Sequence, residues 1–199
     1  GRAHLGLGLA LVQLGRDTEA RAAFWKATWN EAAQSHAFFE LARVERRLVE
    51  AGATDASLVG ALELLDRCIA RNADHHQAVH LRVVTLFDLG REAEAMDAAR
   101  AELKNDPFAF GVLWELASRG LEGWATYDAR TRDDARTVLE LTHDCAHAGM
   151  PDRARGVLDR AVERTPAHAD SAAMLHYHLA ALLLGAGDGL RTRVLGDPV

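Results

Sequence analysis

Two stretches of the sequence, LGRDTEA at residues 14–20 and LGREAEA at residues 89–95, are nearly the same although they lie far apart in the chain. In both, a Gly follows a Leu at the end of a largely apolar run, and an Ala stands five residues after the Gly. A Gly at this place ends a helix by adopting the left-handed conformation, and a buried Ala lets two helices approach closely. A weaker third copy, AGMPDRA, occupies residues 148–154. The recurrence predicts a chain built from helix–Gly–helix units.

A proline marks the end of two of these units at a constant distance from the glycine. Pro107 and Pro166 each lie 17 residues after a glycine, Gly90 and Gly149 respectively. Proline stops a helix because it has no N–H to donate and its ring clashes with the preceding turn. Two independent signals therefore repeat with the same spacing, which favours a true repeat over coincidence.

The composition of this 199-residue chain fits a helical protein and excludes several other classes. Alternating runs of Val, Ile and Thr are absent, so a sheet-rich fold is not expected. The net charge is −6 and no basic block is longer than Arg46–Arg47, so the chain lacks the basic surface of a nucleic-acid-binding protein. No apolar run reaches the roughly 18 residues that predict a membrane span. Cys68 and Cys145 lie in helical patterns, so we expect both to be buried in a reducing compartment and the protein to be cytoplasmic.

The pattern of Gly, Ala and Pro resembles the tetratricopeptide repeat (TPR), a helix–turn–helix unit of about 34 residues. The first unit matches at six places, and its His4 and Ala32 stand where the family prefers Trp and Pro; the matching residues are Leu7, Gly8, Gly15, Ala20, Phe24 and Ala27. The resemblance implies an all-α, right-handed superhelical solenoid of about nine or ten helices over residues 1–184. Its predicted parts are units at about 1–34, 35–75, 76–109 and 135–168, a degenerate half-unit at 110–134, a capping helix at 170–184 and a flexible tail at 185–199. The second unit is too long for the family, and its extra residues fall in a loop-like stretch at 49–58.

In this family the first helix of each unit lines a concave groove, and the resemblance places twelve side chains of the chain there. They are Leu5, Leu9, Phe39, Arg43, Arg46, Arg47, His80, Val84, Phe87, Trp114, His143 and His147. Such a groove suits an extended peptide or a helix, with its carboxylates paired to the three arginines. The alternative interpretation is that these arginines form a solvated helix face paired with Glu40, Glu45 and Glu50. The groove predicts a non-catalytic scaffold whose partner is a protein, a peptide or another domain of the same chain.

Two tryptophans, Trp25 and Trp29, lie one turn apart on the predicted second helix of the first unit. Exposed aromatic rings often mark a docking surface for a partner or a neighbouring domain. The alternative is that both rings are buried against Phe38 and Phe39 of the next unit. The sequence alone leaves both interpretations open.

Catalytic and metal-binding signals are weak along the whole chain. His143 and His147 stand one helical turn apart and could bind zinc, but the Glu that follows the first His in zinc proteases is absent. None of the serines lies on a strained strand-to-helix turn with a His and an acid nearby; they are Ser35, Ser57, Ser118 and Ser171. We therefore predict no cofactor, no metal and no catalysis by this chain.

A second, looser resemblance concerns the stretches AFWKATWN at residues 23–30 and AFFELA at residues 37–42. They are similar to the helical region that follows large β-sandwich domains in bacterial proteins suspected of acting on carbohydrates. The chain also opens inside an apolar helical pattern, without an initiator Met or a signal segment, as a piece of a longer protein would. This resemblance implies the alternative function, a helical accessory region of a carbohydrate-active enzyme whose catalytic domain lies upstream.

Overall fold

The computed structural model describes residues 1–131, 134–166 and 169–185, with side chains in the last helix described as far as Ala181. Over these ranges the chain contains helices and no strands, which confirms the predicted all-α class. The described part has eleven helices, so the predicted number of nine or ten is too low. The helices are α1 Arg2–Gln13, α2 Asp17–Ala27, α3 Glu31–Glu50, α4 Leu58–Arg71, α5 His76–Asp88, α6 Glu92–Asn105, α7 Phe110–Ser118, α8 Trp124–Thr131, α9 Ala135–His147, α10 Pro151–Arg164 and α11 Ala172–Gly185.

The additional helix is α8, which occupies a stretch where the sequence predicted an irregular turn. Gly120, with φ 70°, ends α7, and Gly123 lies just before α8 begins. The two glycines therefore separate helices and do not interrupt one. Within α8, Tyr127 and Thr131 are buried one turn apart, which is the spacing of a helix with one covered face.

Five glycines end helices in the left-handed conformation, including the three at which the repeat signal predicted it. They are Gly15, Gly52, Gly90, Gly120 and Gly149, with φ between 70° and 77°. At the first of them, the N–H of Gly15 donates to the Val12 carbonyl and the N–H of Arg16 donates to the Leu11 carbonyl, each at 2.9 Å. This pair of bonds is the Schellman motif, which satisfies carbonyls that the helix end would leave free.

Consecutive helices pack on one another in four hairpins: α1 with α2, α3 with α4, α5 with α6, and α9 with α10. The predicted units at 76–109 and 135–168 each enclose one hairpin, whereas the boundary predicted between residues 34 and 35 falls inside α3. The alanines predicted at close helix contacts are fully buried, namely Ala20, Ala61, Ala95 and Ala154. A glycine makes a further close contact between α1 and α2, since a Cβ built at Gly8 would lie 2.4 Å from the ring of Phe24. The helical hairpins are thus established, whereas their stacking into a TPR solenoid stays a prediction.

The longest helix, α3, is buried on nearly all sides, including several of its charged residues. It begins at Glu31 and runs 20 residues to Glu50. A loop at residues 51–57 follows, which accounts for most of the extra length that the sequence assigned to the second unit. Because α2 ends at Ala27, Trp29 lies in the turn before α3 and not on the predicted second helix.

Two compact units make up the chain, and their boundary falls inside α7. The first comprises residues 1–112, with Phe24, Leu41, Leu65 and Leu86 at its core. The second begins at Leu113, and its core includes Leu116, Leu158 and Leu175. In that unit α11 packs on α10, as expected of the helix predicted at residues 170–184. The predicted tail lies outside the described residues apart from Gly185.

Among the described residues, no helix combines the length and the apolar character needed to cross a membrane.

Candidate functional site

The aromatic and basic residues predicted to line a groove on α3 are largely covered by their own chain. Phe39 is buried, with the ring of His75 at 4.6 Å between centroids and the guanidinium of Arg43 at 5.4 Å from its ring centre. Arg43 also donates to Glu40 at 3.0 Å, as the solvated-face interpretation expected. Burial lowers the pKa of His75, and the nearby imidazole of His36 lowers it further. The middle of α3 is therefore a packed cluster and not an open pocket.

Arg46 and Arg47 are buried and bind acidic residues of other helices, which differs from both sequence interpretations. Arg46 donates to Thr85 Oγ1 at 2.9 Å and to Asp88 Oδ2 at 2.7 Å, which ties α3 to α5. Arg47 donates to Asp17 Oδ1 at 3.1 Å, which ties α3 to α2. Burial lowers the pKa of Arg47, while its bond to Asp17 favours the charged form. These bonds join α3 to α5 and α2 within the first unit, whereas the pairing of the arginines with carboxylates of a partner stays a prediction.

The groove positions of α5 and α7 are also mostly buried. Val84, Phe87 and Trp114 belong to the cores of their units. His80 is half-buried and packs on Gly111, where a Cβ would lie 2.5 Å from its ring. At the groove positions of α1, Leu9 is exposed and Leu5 is partly exposed.

The rings of His143 and His147 lie on the surface of α9 and stack on one another, with centroids 3.9 Å apart. Cys145, between them in sequence, is fully buried on the other side of the helix, as the sequence predicted. Cys68 is buried as well, so the expected burial of both cysteines is confirmed. The structure therefore brings the two imidazoles together but not the cysteine with them.

The two tryptophans of the first unit differ in their surroundings. Trp25 is partly covered by the ring of Phe38, at 6.4 Å between centroids in an edge-to-face arrangement. Trp29 is 85% exposed, so burial against the next unit does not account for it. The turn that carries Trp29 lies against the start of α1, since a Cβ built at Gly1 would be 2.2 Å from Cβ of Asn30.

The outer face of α1, together with the residue that caps its end, exposes three leucines, of which the groove prediction included only Leu9. Leu7 is 53% exposed and Leu14 is 68% exposed, and Leu9 is exposed as well. Only Gly8 and Leu11 of this helix are buried. No Asp, Glu, Lys or Arg occurs between Ala3 and Gly15. A helix that is apolar on all sides is normally covered on all sides, so the exposed half of α1 lacks a cover.

In the second unit, two carboxylates each bind two arginines, an arrangement that sequence reasoning missed. Glu115 is almost fully buried and pairs with Arg153 at 2.9 Å and Arg119 at 3.3 Å. Arg119 lies four residues from Glu115 and forms a local pair with it, whereas Arg153 comes from α10, and no local sequence signal indicates that pair.

The second carboxylate, Asp128, accepts two bonds from Arg160 at 2.8 Å and one contact from Arg164 at 3.3 Å. The guanidinium of Arg160 also lies 3.7 Å from the ring centre of Trp124. The cavity beside them has about 20 Å³ of free volume, which is room for a single water molecule. This cluster is too small to accept an organic substrate.

One group of side chains has the composition of a metal site. His76, Glu102 and Asp106 each offer a ligand atom, and these atoms lie within 4.8 Å of one another. His76 Nδ1 lies 2.9 Å from Glu102 Oε1, and this hydrogen bond raises the pKa of His76. His76 and the end of α6 are far apart in sequence, so no local pattern connects them.

Comparisons with known proteins do not assign the chain to a family. No model of a known protein family matches the sequence, and a search of curated proteins finds no significant match. The TPR resemblance therefore stays a prediction, and the function has to be argued from the surfaces of this chain.

Proposed function

We propose that this chain is a non-catalytic helical scaffold that binds another protein, or another domain of its own chain, through the outer face of α1. The observation that carries the proposal is the exposure of Leu7, Leu9 and Leu14 on a helix without a charged residue beyond Arg2. Exposed apolar surface of this kind is a common mark of protein docking.

The helical positions of this face suit a second helix as the occupant. Ala3, Gly6 and Ala10 follow one another at helical spacing and form an exposed stripe of small residues. Leu7 and Leu14 border this stripe on one side, and Leu9 borders it on the other. A Cβ built at Gly6 would meet nothing within 4 Å, so the surface is open at its centre. Small residues between larger ones let another helix approach closely and insert its own side chains.

The chemistry of the partner follows from the absence of charge. A helix with charged residues on its docking side would bury them against leucines without a counter-ion, which is costly. The occupant is therefore an amphipathic helix with an apolar contact face, bound in the helix-on-helix manner. Trp29 lies in the turn that contacts the start of α1, and it adds an exposed aromatic ring near this surface.

Three of the four serines, whose hydroxyl groups could serve as nucleophiles, are engaged in structural bonds. Ser35 donates to the Cys68 carbonyl, Ser57 caps α4 by accepting from the Gly60 N–H, and Ser118 donates to the Glu115 carbonyl. These bonds stabilise helices, and none of them joins one of the three serines to a histidine that could act as a base. They support the non-catalytic part of the proposal. The carbohydrate-associated alternative concerns a domain upstream of Gly1 and stays a prediction.

Site-specific photo-crosslinking tests this function and identifies the partner in the same experiment. A photoreactive residue replaces Gln13, which is exposed on α1, and in a matched protein it replaces Val59, which is exposed on α4. We expect the Gln13 position to cross-link a defined apolar helical segment, in the natural full-length protein or in cells that produce it. Equal cross-linking from both positions, or none from Gln13, would overturn the proposal.

The cross-linked segment is then made as a peptide, and its affinity is measured for two double variants. Leu7→Gln with Leu14→Gln removes the leucine border, whereas Val59→Gln with Phe108→Gln changes two apolar residues that are similarly exposed elsewhere. We expect the first pair to weaken binding by about tenfold or more and the second to leave it unchanged. A similar loss from both pairs would contradict a specific surface on α1.

A further inference from the structure

The open end of the α5–α6 hairpin brings three side chains of metal-binding chemistry together. His76 is the first residue of α5, Glu102 lies in the last turn of α6, and Asp106 is the residue that caps α6. We propose that His76, Glu102 and Asp106 bind one divalent transition-metal ion, with Zn²⁺ as the best fit. This site is independent of the docking surface on α1.

The backbone holds all three ligands on rigid elements. Asp106 precedes Pro107, which restricts it to the extended conformation observed at φ −127° and ψ 96°. The N–H of Phe108 donates to Asp106 Oδ1 at 2.9 Å and orients the carboxylate. The second oxygen of Asp106 is the one we assign to the metal. Because the helix ends fix the backbone, only side-chain rotation is needed to close the ligands around an ion.

The local charge favours a cation at this place. The C-terminal end of a helix carries partial negative charge, and α6 places two carboxylates there. Glu102 is only 6% exposed, and a buried carboxylate is costly unless a positive group is paired with it. The imidazole of His76, with Nδ1 at 2.9 Å from Glu102 Oε1, is in the position of that partner. A metal ion would satisfy Glu102 and the imidazole at once.

The ligand set selects among metals. One imidazole nitrogen with two carboxylate oxygens suits Zn²⁺, whereas Mg²⁺ and Ca²⁺ prefer oxygen alone. Ligands at the usual zinc bond lengths of about 2.0–2.2 Å around a tetrahedral ion lie about 3.3 Å apart. The ligand atoms of His76 and Glu102 are 2.9 Å apart and all the ligand atoms lie within 4.8 Å of one another, so rotation of the side chains has to adjust these distances to reach that spacing. Because the side chain of His76 is 58% exposed, water fills the remaining position.

Titration calorimetry with ZnCl₂ on the purified, chelator-treated protein tests the site, together with the absorption spectrum of the protein loaded with Co²⁺. We expect one equivalent of zinc to bind and Co²⁺ to show bands of a low-coordinate nitrogen–oxygen site. His76→Ala and Asp106→Asn should each weaken zinc binding by about tenfold or more and abolish the Co²⁺ bands. Both residues lie at helix ends with exposed or partly exposed side chains, so these variants should keep the fold.

The matched control replaces the other histidine pair, as His143→Ala with His147→Ala, and should leave zinc affinity unchanged. Zinc should also raise the melting temperature of the unmodified protein and of this control, but not of His76→Ala. The proposal is overturned if no zinc binds in the micromolar range, if His76→Ala leaves the affinity unchanged, or if binding is lost in the His143/His147 control.

Discussion

α1 and α3 are the first helices of the two N-terminal hairpins. α3 buries several charged residues, whereas α1 exposes leucines to solvent. α3 contains seven charged residues, yet four of them are buried: Glu40, Glu45, Arg46 and Arg47. α1 contains one charged residue, Arg2, yet only Gly8 and Leu11 of the helix are buried. From charge alone, α3 would be assigned to the surface and α1 to the core.

The difference shows that the neighbours of a helix decide its exposure. Asp17 and Asp88, far from α3 in sequence, neutralise its arginines, and so α3 can occupy the centre of the unit. α1 packs with one side on α2, through the contact of Gly8 with Phe24, and no element of the unit covers its outer side. The charges of α3 therefore serve the fold, whereas the leucines of α1 form the surface that we propose for binding. Four predictions test this contrast.

The largest effect is expected inside α3. Asp17→Asn leaves the buried guanidinium of Arg47 without its counter-ion, which should lower the free energy of unfolding by about 3 kcal/mol. Urea denaturation followed by circular dichroism measures the change. As a control, Glu19→Gln breaks an exposed pair with Arg16 and should change stability little. Equal effects of the two variants would show that Arg47 is not held by Asp17.

The inner side of α1 should tolerate no added volume. Gly8→Ala places a methyl group into the ring of Phe24, so we expect a loss of about 1–3 kcal/mol in the free energy of unfolding. The same denaturation experiment measures it. Unchanged stability would mean that α1 is less tightly packed on α2 than the structure has it.

On the outer side of α1, an added methyl group should raise the free energy of unfolding. Gly6→Ala meets nothing within 4 Å and improves helix propensity, so it should stabilise the chain by about 0.5–1 kcal/mol. A destabilisation by Gly6→Ala would indicate that this face is covered within the isolated chain. The change to Ala should therefore raise the free energy of unfolding at Gly6 and lower it at Gly8. This difference distinguishes the exposed side of α1 from its buried side.

Thiol reactivity compares a buried position on α4, where α4 packs on α3, with an exposed position at the end of α1. Cys68 lies on α4 against α3, with its Sγ 3.3 Å from Ser35 Oγ, and burial raises the pKa of its thiol. Because only the thiolate reacts, Cys68 should react with a disulfide reagent at about pH 8 about 100-fold or more slowly than a cysteine introduced by Leu14→Cys. The comparison is made in a Cys145→Ala background. Similar rates at the two positions would contradict the burial of the α3–α4 contact.

The local features of this fold were predictable from the sequence. Gly15, Gly90 and Gly149 end helices because only glycine adopts the required φ at no steric cost, and this signal needs no distant partner. The same holds for the buried alanines that follow them. Such marks also indicate where one helical hairpin ends and the next begins, although the boundary predicted between residues 34 and 35 falls inside α3.

Features that depend on distant pairing were not predictable. The partners of Arg46 and Arg47 come from α5 and α2, and nothing near α3 in sequence identifies them. α8 was missed because two glycines precede it. The candidate metal site was missed because His76 meets Glu102 only when α5 and α6 fold back on one another. The exposed face of α1 was predicted only in part, with Leu9 but without Leu7 and Leu14, because a leucine-rich pattern predicts a helix but not which of its sides is covered.

The central claim is that a partner helix packs closely on the small-residue stripe of α1. The affinity of the cross-linked helix for Gly6→Leu tests it most directly, with Val59→Leu as the control on another exposed helix face. The account predicts that Gly6→Leu keeps the stability of the chain and weakens binding by about tenfold or more, while Val59→Leu changes neither. Full affinity for the Gly6→Leu protein would contradict it.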